Sequence, residues 1–264
     1  MITGGRDLKE LSIVVPSYND IEGLASTLKS LCHELRGFDE LLLVDSSSDI
    51  TKSRYAAENA GLICDVRYIW MPPAGVYAAQ NKGIREASGR FIQVINAGDR
   101  LCGNGREKIT AAIDDFPDVM MHVFRQRAIA PGVPSYVFSP NGNSLWPHQS
   151  IVVSREIYER EGLYPEEYRL CAEQMYFARM RKRYEWKLHR TVLTEYLLGG
   201  RSSKMDRQQL LDICAVRREL GEGAVHSLVF GLGLPLARQM VEKVLGVRVV
   251  NKIKCRIFSY YSQS

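Results

Sequence analysis

The chain has 264 residues, 45% hydrophobic and 25% charged, which suits a folded domain with its own core and excludes a disordered or fibrous chain. Its net charge of +5 fits an anionic ligand or membrane surface, and without a recognisable binding motif it argues against nucleic acid as a partner. Six scattered cysteines with no CxxC pair argue against a zinc site and for reduced thiols in a cytoplasmic protein.

The opening "MITGGRDLKE" lacks the apolar core of a signal peptide. "LSIVVPSYND" begins with the continuous apolar run Leu11–Val15, closed by Pro16, and reads as a strand buried on both faces. Asn19 or Asp20 caps the helix that follows, with Ile21, Leu24, Ala25, Leu28, Leu31, Cys32 and Leu35 on one face. "ELLLVDSSSD" repeats the scheme, with a strand over Leu41–Val44 and a helix over roughly 52–60. "VRYIW" is a third strand, "VYAAQNKGIREAS" a third helix ended by Gly89, and "FIQVI" a fourth strand. This alternation predicts an α/β domain with a mainly parallel sheet flanked by helices. Ligands of such sheets sit beyond the carboxyl ends of the strands. Three polar clusters fall there: Pro16-Ser17-Tyr18-Asn19, Asp45 to Asp49, and Asn96-Ala97-Gly98-Asp99.

The second half is less regular. "VMMHVFR" and "YVFS" read as strands of an antiparallel pair, and "QSIVVSREIYEREG" as a strand then a helix stopped by Gly162. A helical pattern covers Glu173–Arg183, "WKLHR" and "LTEYLL" read as two short strands, and a helix over Asp206–Leu220 turns Leu210, Leu211, Cys214 and Val216 inward. "AVHSLVFGLGLPLA" is too short for a spanning helix, which needs roughly 20 apolar residues.

Several stretches, in order from about Leu11 to Ser203, together resemble the family 2 inverting glycosyltransferases of the GT-A fold, most closely bacterial enzymes of surface-polysaccharide synthesis. They are "LSIVVPSYNDIEGLASTLKSL", "LLLVDSSSDIT", "GVYAAQNKGIREASGRFIQVINAGDRL", "WPHQSIVVSREIYEREGLYPEEYRLCAEQMYFARM" and "LGGRSS". The departures are specific. The second turn is one residue short, and Ser46 stands where an acid is frequent. Ala78 and Gln80 replace a common Asp and Met. The metal motif is reduced to Asn96-Ala97-Gly98-Asp99, and Glu173 replaces the more usual Asp. No Gln-x-x-Arg-Trp motif of processive synthases is present, which favours transfer of a single sugar.

The resemblance implies a GT-A domain over 1–220, with a nucleotide-binding half (about 11–115) and an acceptor-side half (about 116–220), followed by a basic, amphipathic helical extension over 221–264. It also implies a UDP-sugar donor. Asp45 would accept from the ring N–H of the base, while Pro16 and Tyr18 shape the base and ribose pocket. Asn81 would bond the nucleotide or hold the turn that does, and Lys82 is a solvated helix lysine or a phosphate contact. Asp99 would be the one protein ligand of Mn²⁺ or Mg²⁺, cations that can take few carboxylates when diphosphate and water supply the other places. Glu173 would be the general base. His148, Gln149 and Trp146 would face acceptor or diphosphate, with Trp146 stacking on a sugar, and Arg201 and Ser202 would close over phosphates. Against these stand ordinary structural roles for each residue: a turn or cap aspartate for Asp45 and Asp99, a dipole-favoured helix acid for Glu173, and core packing for the aromatics.

From Glu222 onward, Glu222 and Glu242 face Arg238, Lys243, Arg248, Lys252, Lys254 and Arg256. Interleaved with apolar residues, these suggest helices on an anionic membrane surface. That would suit an undecaprenyl-type lipid-linked acceptor and a place on the inner face of the cytoplasmic membrane. A helical cap or a homo-oligomer contact is the competing account. Two other functions stay open at this point: a catalytically inactive nucleotide-binding scaffold, suggested by the thin metal motif, and a nucleotidyltransferase, disfavoured because no Gly-rich basic loop follows the first strand.

Overall fold

A computed structural model describes residues 9–223, apart from 38, 131–132, 142–143, 169–170 and 199–206, together with residue 249. The first half alternates as the pattern predicts: β1 (Leu11–Ser17), α1 (Ile21–Cys32), β2 (Glu40–Asp45), α2 (Ile50–Gly61), β3 (Val66–Trp70), α3 (Val76–Glu86) and β4 (Phe91–Val94). These strands lie parallel in the order β3-β2-β1-β4. Next come β5 (Arg100–Leu101), α4 (Gly105–Asp115), β6 (Met121–Ala130), β7 (Val133–Phe138) and a 3₁₀ turn over His148–Ser150. The chain continues through β8 (Ile151–Ser154), α5 (Arg155–Glu161), α6 (Ala172–Met180), β9 (Trp186–Leu197) and α7 (Arg207–Glu219). β8 joins β4 and β6 in antiparallel fashion, β9 runs parallel to β6, and β5 closes the far edge, so one mixed sheet carries both halves of the chain.

Alternation along the central strands divides the core. Ile13, Val15, Leu41, Leu43 and Phe91 pack under Leu24, Leu28 and Leu31 of α1, Ala57 and Ala60 of α2, and Ile109 and Ile113 of α4. Val14, Leu42, Val44, Ile92 and Val94 face Tyr77, Ala79 and Ile84 of α3, Ile157 of α5 and Phe177 of α6. Both faces are covered, which is why these strands read as unbroken apolar runs. Gly83 brings α3 down onto the sheet, since a Cβ there would overlap Val14 Cγ1.

Several expectations are corrected. Ile21 and Ala25 of α1 are exposed, and Thr27 takes a buried place on that helix instead. α3 stops at Glu86, and Gly89 sits against Ser12, donating its amide to Ser12 Oγ at 2.8 Å. The two short strands near residue 190 are one strand, β9. Its register against β6 jumps from His189 to Val192, and the bulged Arg190 and Thr191 point to solvent, which the pattern reads as a break. On α7, Leu210, Cys214 and Val216 are buried but Leu211 is 44% exposed.

Candidate active site

The three strand-end clusters meet at the carboxyl end of the parallel strands. Asn19, at φ +52°, donates its amide to Ser47 Oγ at 2.8 Å and accepts from the Ser48 amide at 3.0 Å, lacing the β1–α1 loop to the β2–α2 loop. The Ala97 amide reaches Pro16 O at 3.2 Å. Gly98 turns the β4 loop at φ +99°, a conformation that favours glycine, and its amide donates to Thr27 Oγ1 at 3.0 Å. Thr27 in turn donates to Asp99 O at 2.6 Å, so α1 grips the loop that carries Asp99. A cavity of about 180 Å³ opens between α1 and α2, lined by Ser17, Asn19, Asp20, Ser47, Lys52 and Ser53. A larger cavity, about 290 Å³, opens among residues 35–37 and 61–65 at the amino end of the sheet, away from the three strand-end clusters.

Asp45 ends β2 as expected, but its side chain is fully enclosed. Oδ1 accepts from the Ser47 hydroxyl at 2.6 Å, and Oδ2 accepts from the Ser53 and Tyr68 hydroxyls at 2.5 and 2.9 Å. A base could reach it only in place of one of these hydroxyls. Pro16 is buried within β1, opposite Val44, whereas Tyr18 is 42% exposed at the loop. Lys82 pairs with Glu86 at 2.8 Å one helical turn on.

Asp99, Gln149, His148 and Glu173 come together. Gln149 Nε2 donates to Asp99 Oδ2 at 2.9 Å, and the Leu197 amide donates to Oδ1 at 3.2 Å. Burial pushes the Asp99 carboxyl up to about 6, against the lowering influence of those two donors and of nearby His148. Next to Gln149, His148 places Nδ1 3.5 Å from Glu173 Oε1, and its Nε2 lies 3.3 Å from Asn96 Nδ2. Glu173 is in the first turn of α6, where the helix dipole favours a carboxylate, and the Tyr77 hydroxyl donates to its Oε2. One dipeptide thus touches both acids.

Other expectations fail for physical reasons. Trp146 is fully buried, with its Nε1 on Asn141 O at 2.9 Å, Arg181 stacked 3.9 Å from the ring centroid and Trp186 edge-on, so no ring face is left for a sugar. The Asn81 amide is engaged by Tyr164 N, Tyr164 O and Glu166 at 2.8–3.0 Å; it clamps the segment at Tyr164–Glu166 to α3, leaving no free amide group for a nucleotide. Gln149 faces Asp99 and the core, not solvent. Arg201, Ser202 and nearly all of the basic extension lie outside the described residues. Sequence reasoning passed over Tyr77, Gln80 and Asn96 as working groups. Tyr77, Gln80 and Asn81 share one face of α3 at i, i+3 and i+4, a polar stripe in an otherwise buried helix that could have signalled them.

Among the described residues, no group of three or more His, Cys, Asp or Glu could hold a metal ion. Asp99 nevertheless fits a cation as a single carboxylate. It is buried, its described donors are neutral, and each oxygen keeps a lone pair.

A family model described as glycosyl transferase family 2 matches residues 12–188. Two Mycobacterium tuberculosis proteins, the uncharacterized glycosyltransferases MT1564 and Rv1514c, are each 24% identical over 205 residues, 72% of this chain and 76% of theirs. The uncharacterized glycosyltransferase YibD of Escherichia coli is 29% identical over 114 residues, 42% of this chain and 32% of its own. Among solved structures, S. aureus TarS with UDP-GlcNAc superposes with a TM-score of 0.66 at 16% identity, over 83% of this chain and 69% of that one. The mannosyltransferase PcManGT from Pyrobaculum calidifontis, with GDP-Man and Mn²⁺, gives 0.57 at 14% identity over 97% and 88%. With the family model covering more than half its length, the chain belongs to glycosyl transferase family 2 and is a glycosyltransferase of the GT-A fold.

Proposed function

We propose that the protein is an inverting enzyme that moves one sugar from a UDP-sugar to a lipid-linked glycan in bacterial surface-polysaccharide synthesis, O-antigen or capsule. The observation that carries this reading is the paired contact of Gln149 with Asp99 and of His148 with Glu173, which ties two acids from distant parts of the chain to one dipeptide. Glu173 takes the proton of the acceptor hydroxyl as its oxygen attacks the anomeric carbon. The nucleoside diphosphate leaves on the opposite face, and direct displacement inverts the centre. General-base assistance of this kind contributes typically about 10²–10⁴-fold. The base and ribose enter at the strand-end loops beside Tyr18, the base reaching Asp45 in place of one of its hydroxyl donors, and Arg201 serves as a phosphate contact. A divalent cation held by Asp99 would act as a Lewis acid toward the departing diphosphate. Support for the donor class comes from relatives of the same fold bound to UDP-GlcNAc and GDP-Man, the latter with Mn²⁺.

No helix among the described residues is long and apolar enough to cross a membrane. The basic tail supports peripheral attachment to the inner face of the cytoplasmic membrane, where a lipid-linked acceptor is presented. The test is a nucleotide-sugar panel with membrane lipid extract as acceptor, with and without Mn²⁺, on the wild type, Asp99→Ala and Glu173→Gln. Sugar should reach the lipid from one donor, and transfer should be lost on chelation and in both variants, while Glu173→Gln still binds donor. Activity that survives chelation and Asp99→Ala removes the metal assignment; turnover by Glu173→Gln removes the base.

A further inference from the structure

Two polar contacts, one a hydrogen bond and one electrostatic, reach the two oxygens of Glu173. Gln80 Nε2 donates to Asn96 Oδ1 at 3.0 Å, which fixes the orientation of the Asn96 amide. Asn96 Nδ2 then faces His148 Nε2 at 3.3 Å, so Nε2 is the accepting nitrogen and the imidazole proton sits on Nδ1. Nδ1 lies 3.5 Å from Glu173 Oε1, an electrostatic contact longer than a hydrogen bond, while Tyr77 donates to Oε2. Gln80 and Tyr77 both come from the buried face of α3, and Asn96 from the loop that carries Asp99.

We propose that Tyr77 and Asn96 are positioning residues: Tyr77 directly, and Asn96 through His148, hold the Glu173 carboxylate in the rotamer and the acceptor-only state from which it takes a proton. The inference rests on Glu173 being the base. The Tyr77 hydroxyl and the His148 imidazole each meet a different oxygen of the carboxylate, and no link of the series sets a donor against a donor. The two ends of the series also join the strand-end loop to the acceptor side, so the base is set relative to Asp99 by side chains rather than by backbone alone. The titratable groups around Glu173 are Tyr77 from α3, His148 from the 3₁₀ turn, Cys171 ahead of α6, and Tyr164. Burial and the Glu173 charge hold the Tyr77 hydroxyl far above its ordinary range, so it remains a donor at every working pH.

Tyr77→Phe removes one oxygen and keeps the ring in place. Two readouts apply: UDP-GlcNAc turnover against pH with membrane lipid extract as acceptor, and the carboxylate infrared band assigned to Glu173 by difference from Glu173→Gln. The Tyr77→Phe variant should melt close to wild type and keep its donor KM. It should lose roughly tenfold or more in kcat and shift the frequency of the Glu173 carboxylate band, as expected when a carboxylate oxygen loses a hydrogen-bond donor. Tyr77→Phe on top of Glu173→Gln should cost nothing further, because residues that act as a unit are not additive. An unmoved carboxylate band and unchanged kcat in Tyr77→Phe, with Glu173→Gln inactive, overturn the positioning role and leave the base intact. A turnover-competent Glu173→Gln instead overturns the base, and with it this inference.

Discussion

Gln149 donates to Asp99 at 2.9 Å while accepting from Gln126 at its side-chain oxygen, 3.2 Å, and from Gln93 at its backbone oxygen, 2.7 Å. The acid at the mouth of the site is therefore held by a polar layer that reaches into the sheet: Gln93 is on β4, Gln126 on β6, and Thr194 on β9 accepts from Gln126 at 3.2 Å.

Gln149→Leu removes the donor on Asp99 and leaves the Gln126 amide short of an acceptor. Leaving buried polar groups unsatisfied should cost about 1–3 kcal/mol in urea unfolding. The Asp99 carboxyl, already raised to about 6, loses a donor that favours its charged form and rises further. Activity of this variant should fall more at pH 6 than at pH 8, and an equal loss at both would show that the bond does not tune Asp99.

Gly83 should not tolerate even a methyl group. Its Cβ would overlap Val14 Cγ1 and lie 3.1 Å from Val44 Cγ2, in the seam between α3 and the sheet. Gly83→Ala is expected to lose about 1–3 kcal/mol by overpacking and to lower turnover, since α3 carries Tyr77 and Gln80. Gly61→Ala, at the end of α2 where a Cβ meets nothing within 4 Å, should be neutral or slightly stabilising. Urea midpoints of the two variants make the comparison.

A buried imidazole and its half-buried neighbour should make stability fall in mild acid. His122 is fully buried against Phe91 and His189, with Nδ1 3.1 Å from His189 Nε2, and desolvation pushes its pKa down to about 4. His189 is lowered too, again chiefly by burial. The unfolded chain takes up these protons first, so the stability they protect is complete above about pH 6.5 and is lost as pH falls toward 4. For His122 alone the loss between pH 7 and pH 5 should be roughly 2 kcal/mol. Urea unfolding at the two values should show it, and His122→Phe should flatten that part of the profile.

Cys32, the last residue of α1, and Cys64, beyond α2, bring their sulfurs to 2.8 Å. Cys64 is partly accessible beside the 290 Å³ cavity. With oxidised glutathione, Cys64 should form a mixed disulfide that Cys32 resolves, two thiols being oxidised as one glutathione disulfide is reduced to two thiols. Closing that loop should stabilise the fold by up to about 3 kcal/mol. A melting temperature that does not change with redox state, or that changes equally in Cys32→Ser, would exclude the bridge.

Much of the fold was legible because its signals are local. Unbroken apolar runs marked β1, β2 and β4, and the Asn19, Asp45 and Asp99 clusters behind them marked the end of the sheet where the loops meet. Legibility failed where one signal has two structural meanings. The bulge at Arg190–Thr191 resembled a strand break, and Leu211 matched the apolar face of α7 yet faces solvent. Residue type also misled for Trp146 and Asn81, an aromatic and an amide with credible ligand roles, because their partners Arg181, Trp186 and Tyr164 are distant in sequence.

The sequence by itself determined the alternating α/β order and the parallel strands, since periodicity acts over a few residues, while Asp99 and Glu173 were singled out by the family resemblance. Only the tertiary structure decided how those acids are held. Gln149 on Asp99, and Tyr77 and His148 on Glu173, are contacts between segments separated by tens of residues. Their geometry exists only once α3, β4 and α6 have packed on the same sheet.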